Sequence, residues 1–189
     1  MKTTMNTFVI VNPQKCVGCK ACEIACFAAH NQYNAMGGTI GTIETPIVPR
    51  LYTVKIKNKT LPIQCRHCED APCLSSCPEN AIHQRDEGVI IDEASCVGCK
   101  NCVMACPFGA ISLMPEYKNG QAAVQYQCLE TAEGWINKNR IVAYKCDLCY
   151  SKAEKACIKA CPKGALRLVN IHEENKKKRL KAASQLIHL

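Results

Sequence analysis

Large rings are scarce in this 189-residue chain: three Phe, six Tyr and one Trp make up 5% of it. Rings normally supply much of a domain's buried area, so something else must organise the core. Long apolar runs are missing too. None approaches the ~18–20 residues of a membrane span, so no direct membrane contact by a spanning segment is expected. The opening Met1-Lys2-Thr3-Thr4-Met5-Asn6 has no twin arginine and no hydrophobic stretch with a cleavage site after it. A cytoplasmic location follows as the expectation. No nucleophile–base constellation, phosphate-binding glycine loop or pterin site is visible, which argues against substrate turnover by this chain alone. Acidic residues are outnumbered, 16 against 24 Lys and Arg, for a formal net charge of +8. By itself that balance would suggest nucleic acid or an anionic surface.

What the chain has in excess is cysteine, 17 residues. Without an export signal a disulfide framework is disfavoured, because disulfides persist mainly in oxidising compartments. Sixteen cysteines fall into four groups of four: Cys16-Cys19-Cys22-Cys26, Cys65-Cys68-Cys73-Cys77, Cys96-Cys99-Cys102-Cys106 and Cys146-Cys149-Cys157-Cys161. Groups one and three have the spacing C-x2-C-x2-C-x3-C; group two widens the middle gap to four residues and group four to seven. Three thiolates at two-residue intervals can curl round one small cubane, while the fourth tends to serve a neighbouring cluster. Zinc, the other soft-ligand candidate, prefers two separated C-x2-C pairs or mixed Cys/His sets, and no histidine supplies a missing ligand here. The spacing therefore points to four [4Fe–4S] clusters.

Gly18 and Gly98 sit inside the two Cys-Val-Gly-Cys turns. There a Cβ would crowd backbone wrapping round a cluster, and freed N–H groups could donate to cluster sulfurs; an ordinary turn glycine is the plainer alternative. Lys20 and Lys100 either bias local potential or are solvated surface residues. His67, between Cys65 and Cys68, is a candidate hydrogen-bonding neighbour of a cluster and stays outside the ligand set.

The groups repeat. Phe8-Val9-Ile10-Val11 leads into Cys16 and Val89-Ile90-Ile91 into Cys96, 80 residues later, and Cys65 and Cys146 are 81 apart. The chain thus reads as a duplicated unit. A second repeat follows three Cys-Pro pairs: Cys77-Pro-Glu-Asn-Ala-Ile, Cys106-Pro-Phe-Gly-Ala-Ile and Cys161-Pro-Lys-Gly-Ala-Leu. Each enters a short β-like run, Ile82-His83, Ile111-Ser112-Leu113 and Leu166-Arg167-Leu168-Val169. Short strands flanking cysteine loops and single-turn helices define an α+β class. Group one departs from this pattern, because Phe27 follows Cys26; its small and apolar neighbours predict a helix ending near Asn31.

Two insertions separate the groups. Residues 31–62 hold a loop at Gly37-Gly38-Thr39 and an expected hairpin built from Leu51-Tyr52-Thr53-Val54-Lys55-Ile56. Residues 114–140 carry Trp135 and the spare Cys128, which reads better as a small buried hydrophobe than as a redox group. Beyond residue 170, Lys176-Lys177-Lys178-Arg179-Lys181 forms a basic block with Leu180, Ala183, Leu186 and Ile187 at helical spacing. A docking helix and a solvated tail are both open.

With its second group QCRHCEDAPCLSSCP and no Pro after Cys26, the chain resembles the four-cluster ferredoxin-type electron-transfer subunits. These serve dimethyl-sulfoxide-reductase-type molybdoenzymes, formate hydrogenlyase and hydrogen-dependent carbon dioxide reductase. The resemblance spans residues 8 to about 169. It implies tandem bacterial-ferredoxin-like modules with pseudo-twofold duplication. Residues 1–62 with 116–170 would form an outer two-cluster module, residues 63–115 a nested one, and 171–189 a basic amphipathic tail. It also implies a ligand pairing: Cys16, Cys19 and Cys22 with Cys161; Cys146, Cys149 and Cys157 with Cys26; Cys65, Cys68 and Cys73 with Cys106; Cys96, Cys99 and Cys102 with Cys77. The implied function is a wire for single electrons between molybdopterin- or tungstopterin-type formate dehydrogenase and hydrogenase subunits. Copies of the chain or a paralogous iron–sulfur subunit are further candidate partners, through the tail. A free-standing polyferredoxin and the iron–sulfur subunit of another molybdopterin oxidoreductase are the alternatives.

The charge then changes meaning. An oxidised [4Fe–4S] core with its four thiolates carries about −2, so four such sites contribute about −8. The surplus of Lys and Arg reads as counter-charge for thiolates rather than as a nucleic-acid signature.

Overall fold

A computed structural model describes residues 5–31, 45–86, 88–131, 134–150 and 152–187. The Gly37-Gly38-Thr39 loop and the Cys128 and Trp135 side chains lie outside what is described. In chain order the elements are β1 (Thr7–Val11), α1 (Ala21–His30), β2 (Tyr52–Ile56), β3 (Lys59–Ile63), α2 (Pro72–Ser75), β4 (Ile82–Gln84), β5 (Val89–Ile91), α3 (Asn101–Ala105), β6 (Ser112–Pro115), β7 (Tyr117–Lys118), β8 (Gln121–Ala122), β9 (Val124–Thr131), β10 (Gly134–Asn139), β11 (Ile141–Tyr144), α4 (Ala156–Lys159), β12 (Leu166–Asn170) and α5 (Ile171–Ile187).

The strands form antiparallel two-stranded ribbons, and their order follows one rule. The strand leaving each cysteine group pairs with the strand entering the next. Thus β2 pairs with β3 between groups one and two, β4 with β5 between two and three, and β6 with β11 between three and four. The cycle closes where β12, after group four, pairs with β1, before group one, with Val9 opposite Leu168 and Val11 opposite Leu166. Two further hairpins, β7–β8 and β9–β10, fill the insertion between β6 and β11. The ribbon β6–β11 joins residues of the expected nested segment to residues of the expected outer one.

Isolated ribbons of this size are marginal in water, so they depend on what they enclose. Two buried clusters do this. One gathers Val9, Cys26, Leu51, Cys65, Ala110, Cys146, Leu148, Cys157 and Leu166; the other gathers Ala71, Cys73, Ile82, Val89, Ile91, Cys102, Ile111 and Ala143. Neither contains a ring. Small side chains and thiols make the interior, in keeping with the scarcity of aromatics.

The helices show why proline matters. Helices α2, α3 and α4 are four or five residues long, and each stops at or just before a Cys-Pro pair. Pro162, Pro107 and Pro78 can neither donate to a helical hydrogen bond nor let the preceding residue stay helical. Phe27 imposes no such stop, and α1 runs ten residues to His30, capped at Asn31. Helix α1 packs on α4 and α2 on α3. Helix α5 buries none of its residues, and among the described residues no helix is long and apolar enough to cross a membrane.

Candidate metal centres

The first two cysteines of each group lie in a loop that leads into a helix. In groups one and three the turn depends on glycine: Gly18 and Gly98 both have φ near +69°. The space is closed as well. A Cβ on Gly18 would lie 2.7 Å from the Thr60 Cβ, and one on Gly98 would lie 2.5 Å from the Ile141 carbonyl oxygen. The two glycines thus meet the strands β3 and β11 at equivalent places. The lysines that follow the second cysteines, Lys20 and Lys100, take left-handed conformations at the N-caps of α1 and α3.

The Cys-Pro-x-(Asn/Gly)-Ala repeat has a local explanation. Asn80, Gly109 and Gly164 all adopt positive φ, a conformation that favours Gly and Asn. This folds the chain back so that the next N–H reaches the cysteine four residues earlier. Ala81 donates to Cys77 Sγ at 3.3 Å, Ala110 to Cys106 Sγ at 3.4 Å and Ala165 to Cys161 Sγ at 3.2 Å. A larger side chain would not fit, since Ala81, Ala110 and Ala165 are buried.

Cys26 cannot use this device, because α1 continues past it. Its donor comes instead from 24 residues away, where the Arg50 N–H lies 3.3 Å from Cys26 Sγ. A half-buried ionic network surrounds it. The two nitrogens of His30 sit against the Cys26 carbonyl at 2.7 Å and Asp147 Oδ1 at 3.0 Å. Arg50 pairs with Glu93 at 2.5 Å and Asp147 at 3.6 Å. Burial disfavours a charged His30, but its hydrogen bonds to Asp147 and Cys26 prevail and raise its pKa to about 10. Burial likewise works against ionised Asp147; His30 and Arg50 overcome it and hold the carboxyl below the usual carboxylate range. Sequence reasoning did not single out Arg50, His30 or Asp147. His30 could have been found from its i+4 relation to Cys26 on a helix face; Arg50 offers no local signal.

His67 is a core residue. It is 1% exposed, its N–H donates to Cys65 Sγ at 3.3 Å, and its Nδ1 accepts the Val89 N–H at 3.1 Å.

The thiols are brought together from distant parts of the chain. One apolar cavity is lined by Cys16, Cys19, Cys22 and Cys161. A second is lined by Cys77, Cys96, Cys99 and Cys102. Cys68 and Cys73 both lie within electrostatic reach of Cys65 and Cys106. Cys146 neighbours Cys157 and Cys26, and Cys157 neighbours Cys26 and Cys149.

Burial raises the pKa of Cys22 and Cys102 to about 11 and that of Cys157 to about 12, and pushes Cys146 further up. Cys161 goes the other way: burial raises it, but the N–H groups of Ala165 and its neighbours outweigh that and lower it. Neutral thiols are at ease in apolar cavities, but metal takes them as thiolates, so metal binding displaces their protons. Thiolate quartets with inward N–H donors suit a metal–sulfur cluster, whose sulfides accept such bonds.

Fold and site together define a 4Fe–4S protein, and comparison with known proteins agrees. Residues 56–132 match the 4Fe-4S dicluster domain model, and residues 13–26 match a 4Fe-4S binding domain. Hydrogenase-4 component A of Escherichia coli is 39% identical over 198 residues, covering 95% of this chain and 92% of that protein. The electron transport protein HydN of E. coli is 37% identical over 182 residues, 94% of each chain. Formate hydrogenlyase subunit 2 of E. coli is 37% identical over 178 residues, covering 88% of this chain and 83% of that one. The chain belongs to this family of iron–sulfur electron-transfer proteins.

Proposed function

We propose that the chain is a non-catalytic wire of four [4Fe–4S] clusters. The ligand sets would be Cys16, Cys19, Cys22 and Cys161; Cys26, Cys146, Cys149 and Cys157; Cys65, Cys68, Cys73 and Cys106; and Cys77, Cys96, Cys99 and Cys102. Each cluster takes up and passes on one electron; the chain supplies ligation, spacing and electrostatics. Neighbouring thiols suggest the order. Cys157 lies near Cys22, Cys26 and Cys146 share a buried cluster with Cys65, and Cys102 lies near Cys73. The line therefore runs from the Cys16 set through the Cys146 set and the Cys65 set to the Cys96 set.

The observation that carries this reading is where the chain opens to solvent. Among the described cysteines only Cys19 and Cys99 are exposed, one in each terminal set. Exposed apolar side chains lie close to each in sequence, Val17 and Ile24 at one end and Val97, Met104 and Phe108 at the other. Two ends, each with a thiol at the surface and exposed apolar side chains nearby in sequence, suit two partner enzymes. The candidates are a formate dehydrogenase and a hydrogenase in a cytoplasmic complex, a reading supported by likeness to hydrogenase-4 component A and formate hydrogenlyase subunit 2. Helix α5, with no buried residue, would add a docking arm.

Anaerobic purification at native abundance tests this. About sixteen irons and sixteen sulfides per chain are expected, with both enzymes co-purifying. Val17→Glu with Ile24→Glu, or Met104→Glu with Phe108→Glu, should slow electron delivery at one end only and leave iron content unchanged. Removing residues 173–189 should weaken association without loss of iron. Recovery as a lone monomer would favour the freely diffusing polyferredoxin.

A further inference from the structure

The seam between the Cys65 and Cys146 sets holds a side chain that ligation does not require. Lys145 is 1% exposed and is the largest fully buried side chain among the described residues. It follows β11 and directly precedes Cys146. Its Nζ donates to the Val89 carbonyl, in β5, and to the Cys146 carbonyl at 3.0 Å. One ammonium thus ties the ribbon β4–β5 to the loop of group four. Among the described residues no carboxylate pairs with it.

A buried cation held only by neutral carbonyls is expensive unless negative charge lies nearby. The available negative charge is sulfur. Val89, whose carbonyl holds the ammonium, lies in the same buried cluster as Cys73, and Cys68 packs against that cluster. A cluster bound there becomes more negative by one unit on reduction, and an adjacent positive charge in a low-dielectric interior favours that state. Net charge and burial are among the levers that set cluster potentials.

We infer that Lys145 is a potential-setting residue, a fixed positive charge at the seam that makes the cluster of Cys65, Cys68, Cys73 and Cys106 the electron-holding station of the line. The inference rests on the four-cluster reading above. The step is a one-electron reduction of that cluster from the 2+ to the 1+ core level. The electron comes from the neighbouring cluster, and no bond or proton is exchanged. Lys145 acts through the cluster's surroundings and does not bind it.

The test is a potentiometric titration of the cluster-loaded protein followed by electron paramagnetic resonance. In Lys145→Met, one signal should show a reduction equilibrium constant at least tenfold lower, about 59 mV for a one-electron couple. Lys145→Arg should stay within about threefold of the parent protein. The signal that moves should be the one lost or altered in Cys73→Ser. Unchanged potentials in a fully loaded Lys145→Met, an equal shift of every signal, or an Arg variant that behaves like Met would overturn the inference. Should Lys145→Met lose iron, Lys145→Gln carries the same comparison. Iron loss in both, with retention in Lys145→Arg, would assign the lysine to assembly and also overturn it. A parent protein with fewer than four clusters would instead overturn the four-cluster reading.

Discussion

At the scale of single residues, the turn glycines differ in what they tolerate. Gly98 combines positive φ with a neighbouring carbonyl oxygen 2.5 Å from any added Cβ, whereas Gly109 has positive φ and nothing within 4 Å. Gly109→Ala should therefore cost roughly 1–2 kcal/mol, the penalty of a left-handed L-residue alone. Gly98→Ala should cost more, because β11 must also move, and iron should be lost from the set containing Cys96. Denaturant melts and iron analysis of the two variants check the contrast. Gly18 and Gly98 were visible in the sequence, but only the contacts with Thr60 and Ile141 show what crowds them. The Arg50 donor to Cys26 was not legible, because 24 residues separate the partners. The pairing of His30 with Asp147 spans still more of the chain. Such partners are set by how ribbons pack, and no local pattern encodes them.

At the scale of elements, α1 is the departure from the repeat. Its length follows from one position, since Cys26 is followed by Phe27 where three other groups have proline. Phe27→Pro should cut the helix at a cost of about 3 kcal/mol or more and remove the support of His30. Circular dichroism should show less helix, and thermal melts a lower midpoint; an unchanged melt would mean that α1 is not held by its last turn. Half of the strands were legible: β1, β2, β4, β5, β6 and β12 all lie on apolar runs that the sequence marked. The pairing β6–β11 was not legible, because the long insertion with β7–β10 hides that residues 115 and 141 face each other. The terminal helix α5 was half legible. Its periodicity marked a helix, and its lack of burial leaves its role to a partner.

At the scale of the whole molecule, the interior contains thiols where most domains have rings. Stability should therefore follow metal rather than sequence hydrophobicity. Removing iron with a chelator under reducing anaerobic conditions should unfold the described core, seen as lost strand and helix signals in circular dichroism and recovered when iron and sulfide are restored. Retention of native secondary structure in the iron-free protein would refute this. The +8 of the polypeptide fits the same picture, since the loaded molecule is near neutral when about −2 is assigned to each cluster.

The closing of the ribbon cycle by β12 and β1 makes the chain's order arbitrary. Thr7 lies opposite Asn170, so a short linker could join residues 6 and 171 without strain. New ends could then be cut between β4 and β5. Such a circular permutant, lacking α5, should bind as much iron as the parent, because no ribbon depends on where synthesis begins.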